Sequence, residues 1–304
     1  MKISVIIPAY QAEKYIGYTI ESALNQTLSV LEVLVVDDGS TDSTKEIVQL
    51  IVNKDARVKY IYQDNQKQGA ARNKGISLSQ GDYIAFLDAD DYWDKGFIQN
   101  SISLMIQRNG DMIFSQMYVV DENNKTIGQK NWIKNKIYNL NEARLKFGIG
   151  NIVPLSSVVC NKRLLEILNG FDDRQDIANA EDYELWIRIL RNGYRIVSSE
   201  FCNAYYRVHQ LNSTNLDNVA SIPAARVILK HEDFFSENAR EWRTIQVKTV
   251  SKLLKFKKTG NLNERLNLIN LILFNNKGKS SYFKSKIILF FGYHFFNRFN
   301  RFFI

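Results

Sequence analysis

Asp82-Tyr83-Ile84-Ala85-Phe86-Leu87-Asp88-Ala89-Asp90-Asp91 is the stretch on which the fold and the chemistry of this chain turn. The apolar run 83–87 predicts a buried strand, and it stops in three carboxylates interrupted by one alanine. Side chains on a strand alternate faces, so Asp88 and Asp90 are expected on one side, roughly 6–7 Å apart, with Asp91 pointing away. Two such carboxylates can share a hard divalent cation and a polar ligand. An isolated D-x-D reads equally well as a solvated loop, so the surrounding chain has to decide.

Upstream, strands and helices alternate. Strands are predicted over 3–7 (ended by Pro8), 31–36 and 58–62, and helices over 13–24, 43–52 and 70–78. Asp37-Asp38-Gly39-Ser40-Thr41-Asp42 forms a turn, and Ser43-Thr44-Lys45-Glu46 has capping-box spacing. This alternation predicts parallel βαβ units, a Rossmann-like sheet flanked by helices. Ligands bind such sheets at the carboxyl ends of the strands, so Pro8, Asp37, Asp38, Asp88 and Asp90 are expected in one cleft. Neither G-x-x-x-x-G-K-[ST] nor a G-x-G-x-x-G after the first strand occurs, which argues against a P-loop NTPase or an ordinary dinucleotide-binding dehydrogenase. Strand-end carboxylates suit hydroxyls, an imide N–H or a metal; a phosphate beside them needs a cation, either a metal or Arg72.

These residues carry a resemblance. Val5-Ile6-Ile7-Pro8-Ala9-Tyr10-Gln11-Ala12-Glu13-Lys14-Tyr15-Ile16, Val36-Asp37-Asp38-Gly39-Ser40-Thr41-Asp42, Ala71-Arg72-Asn73-Lys74-Gly75 and Phe86-Leu87-Asp88-Ala89-Asp90-Asp91 together resemble the inverting GT-A glycosyltransferases of family 2. The resemblance spans roughly residues 1–210. Where those enzymes often have Asn-x-Gly, this chain reads Asn65-Gln66-Lys67, which adds a charge and removes backbone freedom. The resemblance implies that Pro8, Ala9, Tyr10 and Glu13 frame the nucleobase and ribose of a nucleotide-sugar donor. By the same resemblance Asp38, with Asp37 as alternative or partner, sits by the base and Asp88 reaches ribose. Asp90 would hold Mn²⁺ or Mg²⁺ across the donor diphosphate.

Downstream, 112–128 reads as a hairpin with a polar turn, 131–149 as loop plus a short helix, and 153–160 as a strand leading into a helix over 162–168 closed by Asn169-Gly170. In Asn179-Ala180-Glu181-Asp182-Tyr183-Glu184-Leu185-Trp186-Ile187-Arg188-Ile189-Leu190 the apolar spacing predicts a helix with one buried face and Glu181-Asp182 at its amino end. A bare pair there is an N-cap or dipole partner. The resemblance instead implies that Asp182 is the general base, with Glu181 positioning it or touching the acceptor. In Tyr205-Tyr206-Arg207-Val208-His209, similar to a segment that closes such domains, His209 is expected at phosphate or in the metal shell and Arg207 at phosphate.

The chain has 304 residues with 45% hydrophobic content, enough for one large domain and an appendage. Two cysteines without metal spacing, and no secretory signal read at the start, suggest a reduced, cytoplasmic protein. The 16 Lys/Arg and 6 Asp/Glu of residues 210–304 give +10 against +8 for the whole chain, leaving −2 for residues 1–209. The basic tail is predicted helical over 224–254 and 262–274. Its aromatic and basic segment 281–304 is expected either to lie on an anionic membrane surface, holding the protein at the inner face of the cell membrane, or to dock on the catalytic domain or a second subunit of a homo-oligomer. No nucleic-acid-binding module is recognised.

The expected organisation is thus a catalytic domain over 1–215, with donor binding in 1–110 and the acceptor side in 111–215, followed by a helical extension over 216–304. The expected activity is metal-dependent transfer of a sugar from a nucleotide donor, UDP in most similar enzymes, to a glycan or lipid-linked acceptor in surface polysaccharide biosynthesis. A nucleotidyltransferase would need a Gly-rich basic loop after the first strand. A non-catalytic sugar-nucleotide binder or membrane scaffold is the alternative from another class, and it would have no need of a base.

Overall fold

The computed structural model describes residues 1–130, 135–138, 140–209, 212, 221–255 and 262–274. They form two compact units, one of residues 1–141, 152–175 and 184–209, the other of 142–151, 176–183 and the described residues from 212 onward.

The first unit opens with β1 (Ile3–Ala9), α1 (Ile16–Leu24), β2 (Glu32–Asp38), α2 (Thr44–Val52), β3 (Val58–Gln63), α3 (Lys67–Leu78) and β4 (Tyr83–Phe86). It continues through β5 (Tyr92–Trp93), α4 (Phe97–Gln107), β6 (Met112–Val120), β7 (Thr126–Lys130) and β8 (Lys136–Tyr138). α5 (Leu140–Ile149) passes into the second unit; β9 (Val159–Asn161) and α6 (Lys162–Ile167) return to the first. α7 (Glu181–Arg191) starts in the second unit and ends in the first, which β10 (Ile196–Arg207) completes. Among the described residues ten strands make one sheet in the order β3-β2-β1-β4-β9-β6-β10-β5, with β7 on β6 and β8 on β10.

Strands β3, β2, β1 and β4 are parallel, as the βαβ alternation requires, and β9 joins β4 antiparallel. Ala9 pairs with Asp37 and Asp38 with Gln63, while Ile6 pairs with Phe86, so the acidic turns leave the sheet along one edge. Strands β1 and β2 are buried on both faces and read as continuous apolar runs for that reason. Helix α3 lies close on this sheet at Gly75, where a Cβ would come within 2.5 Å of Ile6 Cγ2. The core beneath joins Ile3, Val5, Ile7, Val33, Val35 and Ala85 to Ile16, Ile20, Phe97, Ile102 and Val197.

Several local expectations change. The run 83–91 is strand only to Phe86; Asp88 to Asp91 form a turn, so strand alternation does not govern them. The capping box at Ser43 does not form. Asp42 Oδ1 accepts from Thr44 N and Glu13 Oε2 from Ser43 N, and these bonds satisfy the first amides of α2 in place of the Ser43 hydroxyl. Over 153–160 a 3₁₀ turn (Leu155–Ser157) precedes the short β9.

In the second unit the expected helix over 224–254 is three helices, α8 (Ser221–Lys230), α9 (Glu232–Ser236) and α10 (Ala239–Lys255), followed by α11 (Leu262–Phe274). Pro223 sits in the first turn of α8, where its missing N–H has no helical partner to lose, and Asn238 accepts from Arg240 N and Glu241 N to start α10 afresh. Val250, Leu253 and Leu254 of α10 pack with Leu268, Ile269 and Ile272 of α11 and Ala225 of α8 in a core of their own. None of the described helices is long and apolar enough to cross a membrane. The segment expected to bind lipid, 281–304, lies outside the described residues.

Candidate active site

Pro8, Ala9, Tyr10, Glu13, Asp37, Asp38, Arg72, Asp88, Asp90 and His209 all belong to the first unit; Glu181 and Asp182 belong to the second.

Asp37 is buried and its oxygens are occupied, Oδ1 by Ser40 N at 2.9 Å and Oδ2 by the Tyr60 hydroxyl at 2.6 Å. Burial first and then Asp37 push the Tyr60 phenol pKa upward, so the pair stays hydrogen-bonded through the physiological range. Asp38 uses one oxygen: Oδ1 accepts from Gln63 Nε2 and Gln66 N, each at 2.8 Å. Of the two, Asp38 keeps acceptor capacity to spare, whereas Asp37 builds the turn. Tyr10 is exposed, and Glu13 is engaged at the start of α2. Lys67, where similar enzymes have glycine, carries φ +73°, a left-handed conformation that a side chain makes costly.

Each residue of Ala71-Arg72-Asn73 has its own task. Ala71 is buried; Asn73 donates to Phe171 O at 2.9 Å and accepts from Phe171 N at 2.8 Å, clamping a distant loop. Arg72 is buried, stands 5.5 Å over the Phe171 ring and donates to Asp88 Oδ1 at 2.9 Å. The guanidinium is thus buried while its carboxylate partner remains partly exposed.

The Asp88–Asp91 turn is held at nearly every residue. Asp88 N donates to Ser156 Oγ at 3.1 Å, and Thr19 Oγ1 lies 2.9 Å from Ala89 O and 2.8 Å from Asp91 O. Arg207 Nε donates to Asp90 O at 2.8 Å and Arg207 N to Asp91 Oδ1 at 3.0 Å. Asp91 does turn away from Asp88 and Asp90, into the interior. Burial, then the charges of Asp90 and Asp88, push its carboxyl well above the usual range and toward the neutral form. Asp90 Oδ2 meets His209 Nε2 at 2.9 Å, and the His209 ring packs on Tyr15 with centroids 5.0 Å apart.

Arg207, expected at phosphate, is instead 2% exposed. Its guanidinium lies 4.5, 5.3 and 5.9 Å from the centroids of Tyr15, Tyr92 and Tyr18, and donates to Asn124 Oδ1 on the β6–β7 turn. Tyr92 in turn stacks on Tyr205 at 4.5 Å. Burial, then Tyr18, raises the Tyr92 phenol to about 12. This cation and its tyrosines were not foreseen from sequence. The usable signal was Tyr15 and Tyr18 at helical spacing together with aromatics beside Arg207, but nothing local joins residues so far apart.

Among the described residues no three His, Cys, Asp or Glu side chains converge as a complete metal cage. What the first unit offers is Asp90 paired with His209, and Asp88 two residues earlier on the same turn. Such a set fits Mg²⁺ or Mn²⁺, which bind through one or two protein groups and take their remaining ligands from phosphate and water.

In the second unit, Glu181 and Asp182 open α7. Glu181 is buried; Asp182 Oδ1 accepts from Tyr183 N at 2.6 Å and Oδ2 from Asn151 Nδ2 at 2.8 Å.

The model of glycosyl transferase family 2 matches residues 4–167. The chain belongs to this family. A UDP-Glc:alpha-D-GlcNAc-diphosphoundecaprenol beta-1,3-glucosyltransferase of Escherichia coli, WfaP, is 32% identical to this family 2 glycosyltransferase over 209 residues, 68% of this chain and 77% of the relative. Among solved structures, S. aureus TarS in complex with UDP-GlcNAc superposes with a TM-score of 0.74 at 20% identity, over 99% of this chain and 92% of that one. The mannosyltransferase PcManGT of Pyrobaculum calidifontis, solved with GDP-Man and Mn²⁺, gives 0.57 at 16% identity, over 94% and 83%. The fold of this family 2 enzyme is therefore GT-A, a largely parallel sheet flanked by helices, with further helices after it.

Proposed function

We propose that this family 2 glycosyltransferase moves a sugar, with inversion, from a UDP-sugar to a glycan or lipid-linked acceptor in surface polysaccharide synthesis, and that it needs Mn²⁺ or Mg²⁺. The observation that carries this reading is the strand-end arrangement: Asp38 with a free acceptor site, Asp88 on a buried arginine, and Asp90 against His209, all along one sheet edge. The 32%-identical WfaP is named for UDP-Glc and a diphosphoundecaprenol-linked acceptor, which favours the UDP and lipid-linked alternatives.

In this reading Pro8, Ala9, Tyr10 and Glu13 line the nucleoside side, Asp38 accepts from the base with Asp37 fixing its turn, and Asp88 accepts from ribose hydroxyls. Asp90 and His209 would hold the cation, which neutralises the charge of the departing nucleoside diphosphate. Arg72 supplies fixed positive charge to the same end. Asp182 takes the proton of the acceptor hydroxyl as its oxygen bonds to the anomeric carbon. The bond from that carbon to the diphosphate breaks, its electron pair leaves with the nucleoside diphosphate, and one displacement inverts the centre. Glu181 orients the base or the acceptor. Residues 1–215 act as the catalytic domain, and 216–304 as an extension that brings the enzyme to an anionic membrane surface.

The test measures UDP release from UDP-glucose and UDP-GlcNAc with a GlcNAc-diphospho-lipid acceptor, for wild type, Asp90→Asn and Asp182→Asn, with Mn²⁺ and with chelator. A loss of about 10²-fold or more in each variant is expected, together with dependence on the cation. Undiminished transfer by Asp182→Asn would remove the base assignment, and undiminished transfer in chelator would remove the metal.

A further inference from the structure

The sequence treats everything after residue 215 as an extension, yet the second unit joins those helices to the segment that touches Asp182. Residues 142–151 lie between the two. On one side, Gly148 of α5 is so close to α10 that a Cβ would stand 2.2 Å from Ile245 Cδ1 and 3.1 Å from Phe235 Cδ1. Arg144 pairs with Glu237 and stands 5.1 Å over the Phe234 ring. Lys252 of α10 donates to Ile149 O, and its ammonium lies where a Cβ on Gly150 would be, 2.7 Å away. Desolvation and then the neighbouring Lys248 lower the Lys252 pKa, although the residue as a whole is exposed.

On the other side the same segment holds α7. The Tyr183 hydroxyl donates to Phe147 O, and Asn151 Nδ2 donates to Asp182 Oδ2 at 2.8 Å. Gly150 N closes the end of α5 on Phe147 O at 3.2 Å. A continuous run of bonds therefore leads from α10 through Ile149 and Asn151 to one oxygen of Asp182. The other oxygen accepts from the backbone N–H of Tyr183, and the Asn151 amide brings a side-chain donor from a separate segment to the carboxylate.

We propose that Asn151 is the positioning residue of the Asp182 carboxylate and that α10, through Lys252 and the Ile245–Gly148 contact, holds Asn151 in place. The inference rests on the reading of Asp182 as the base. It makes part of the C-terminal extension a component of the catalytic apparatus, independent of any lipid that later residues meet. A general base must lie within hydrogen-bond reach of the acceptor hydroxyl, and small misplacements are costly, whereas donor binding draws on other residues.

The full chain is measured as wild type, Asn151→Ala, Lys252→Met, Lys252→Arg, the Asn151→Ala/Lys252→Met double variant and Asp182→Asn, reading UDP release from UDP-glucose and UDP-GlcNAc with Mn²⁺ and the GlcNAc-diphospho-lipid acceptor. Asn151→Ala is expected to lower kcat about tenfold with the donor KM unchanged, the signature of a lost transition-state interaction. Lys252→Met is expected to lower kcat about threefold, Lys252→Arg to restore it, and the double variant to be no slower than Asn151→Ala alone, because the lysine acts through the asparagine. Amide hydrogen exchange over 147–151, read without substrate, should be faster in Lys252→Met and normal in Lys252→Arg.

Wild-type kcat in Asn151→Ala beside an inactive Asp182→Asn overturns this inference alone. Independent, multiplicative effects in the double variant, or unchanged exchange in Lys252→Met, overturn the part played by α10. An Asp182→Asn protein as active as wild type overturns the base assignment itself and is thereby told apart from the other failures.

Discussion

Two groups of carboxylates in this chain are held in opposite ways. The acidic turn after β4 is fixed by partners from across the first unit: Arg72 on Asp88, Thr19 on the turn carbonyls, Arg207 on Asp90 and Asp91, and His209 on Asp90. Asp182 is held by the amide of its own neighbour and by one asparagine from an adjoining loop. The first arrangement is part of the sheet's structure, so weakening it should cost stability as well as activity. The second is tied to the start of its own helix and to the 147–151 loop, so weakening it should cost more activity than stability.

The sharpest way to break that contrast is Arg207→Met. The substitution keeps an apolar stem among Tyr15, Tyr18 and Tyr92 but strips the donors from Asp90 O and Asn124 Oδ1 and removes the guanidinium that lies over all three rings. Removing one member of a buried charged network costs about 3–5 kcal/mol. For a chain of this size that lowers the melting midpoint by roughly 10 °C. Calorimetry should show this loss, while Asp182→Asn leaves the midpoint close to wild type. Equal loss in both variants would dissolve the distinction between the two groups.

Arg72→Met comes next. Asp88 loses its charge partner, but its side chain is 35% exposed and rehydrates, and methionine still packs on Phe171. The melting midpoint should therefore fall by less than half as much as in Arg207→Met. The donor KM should rise about tenfold, since a fixed cation near the diphosphate is gone. A large stability loss with unchanged KM would make Arg72 a structural residue only.

How far these features could be read from sequence follows from how local they are. Strands β1 to β4 and the acidic ends of β2 and β4 were legible because apolar runs and turn residues signal within a few positions, and because parallel βαβ geometry carries all strand ends to one edge. The position of Asp88 and Asp90 at the end of β4 was legible for that reason, although the turn that shapes them is not strand. Arg207 was misread as a phosphate contact because its cage joins Tyr15, Tyr92 and Asn124, and no pattern within a window reports such pairings. The break between α9 and α10 was missed since Asn238, an ordinary polar residue by composition, acts as a cap only when the preceding chain turns. Asn151 had no signal at all: an asparagine after Gly150 reads as loop, and its tie to Asp182 exists only in three dimensions.

The smallest expected effect tests whether tight anchoring in the first unit extends past the acidic edge. Glu32, at the start of β2, is 2% exposed and accepts from Ser4 Oγ, Lys59 Nζ and Gln80 N, each at 2.6 Å. Burial alone would raise its pKa; the bonds from Lys59, Ser4 and Gln80 outweigh it and hold the carboxyl below its ordinary 4.5. A depressed folded-state pKa means the unfolded chain binds the proton first. The stabilisation is therefore complete above pH 4.5 and drains away as pH falls through the lower, folded value. Glutamine at this position keeps an acceptor for Ser4 and Gln80, loses the ion pair with Lys59 and cannot titrate. Glu32→Gln should thus be less stable than wild type by about 1 kcal/mol near pH 7, and the gap should close in thermal melts as the pH is lowered below 4.5. A gap that stays constant down to pH 3 would mean that the carboxylate contributes through shape and not charge, and that the strong anchoring is confined to the acidic edge.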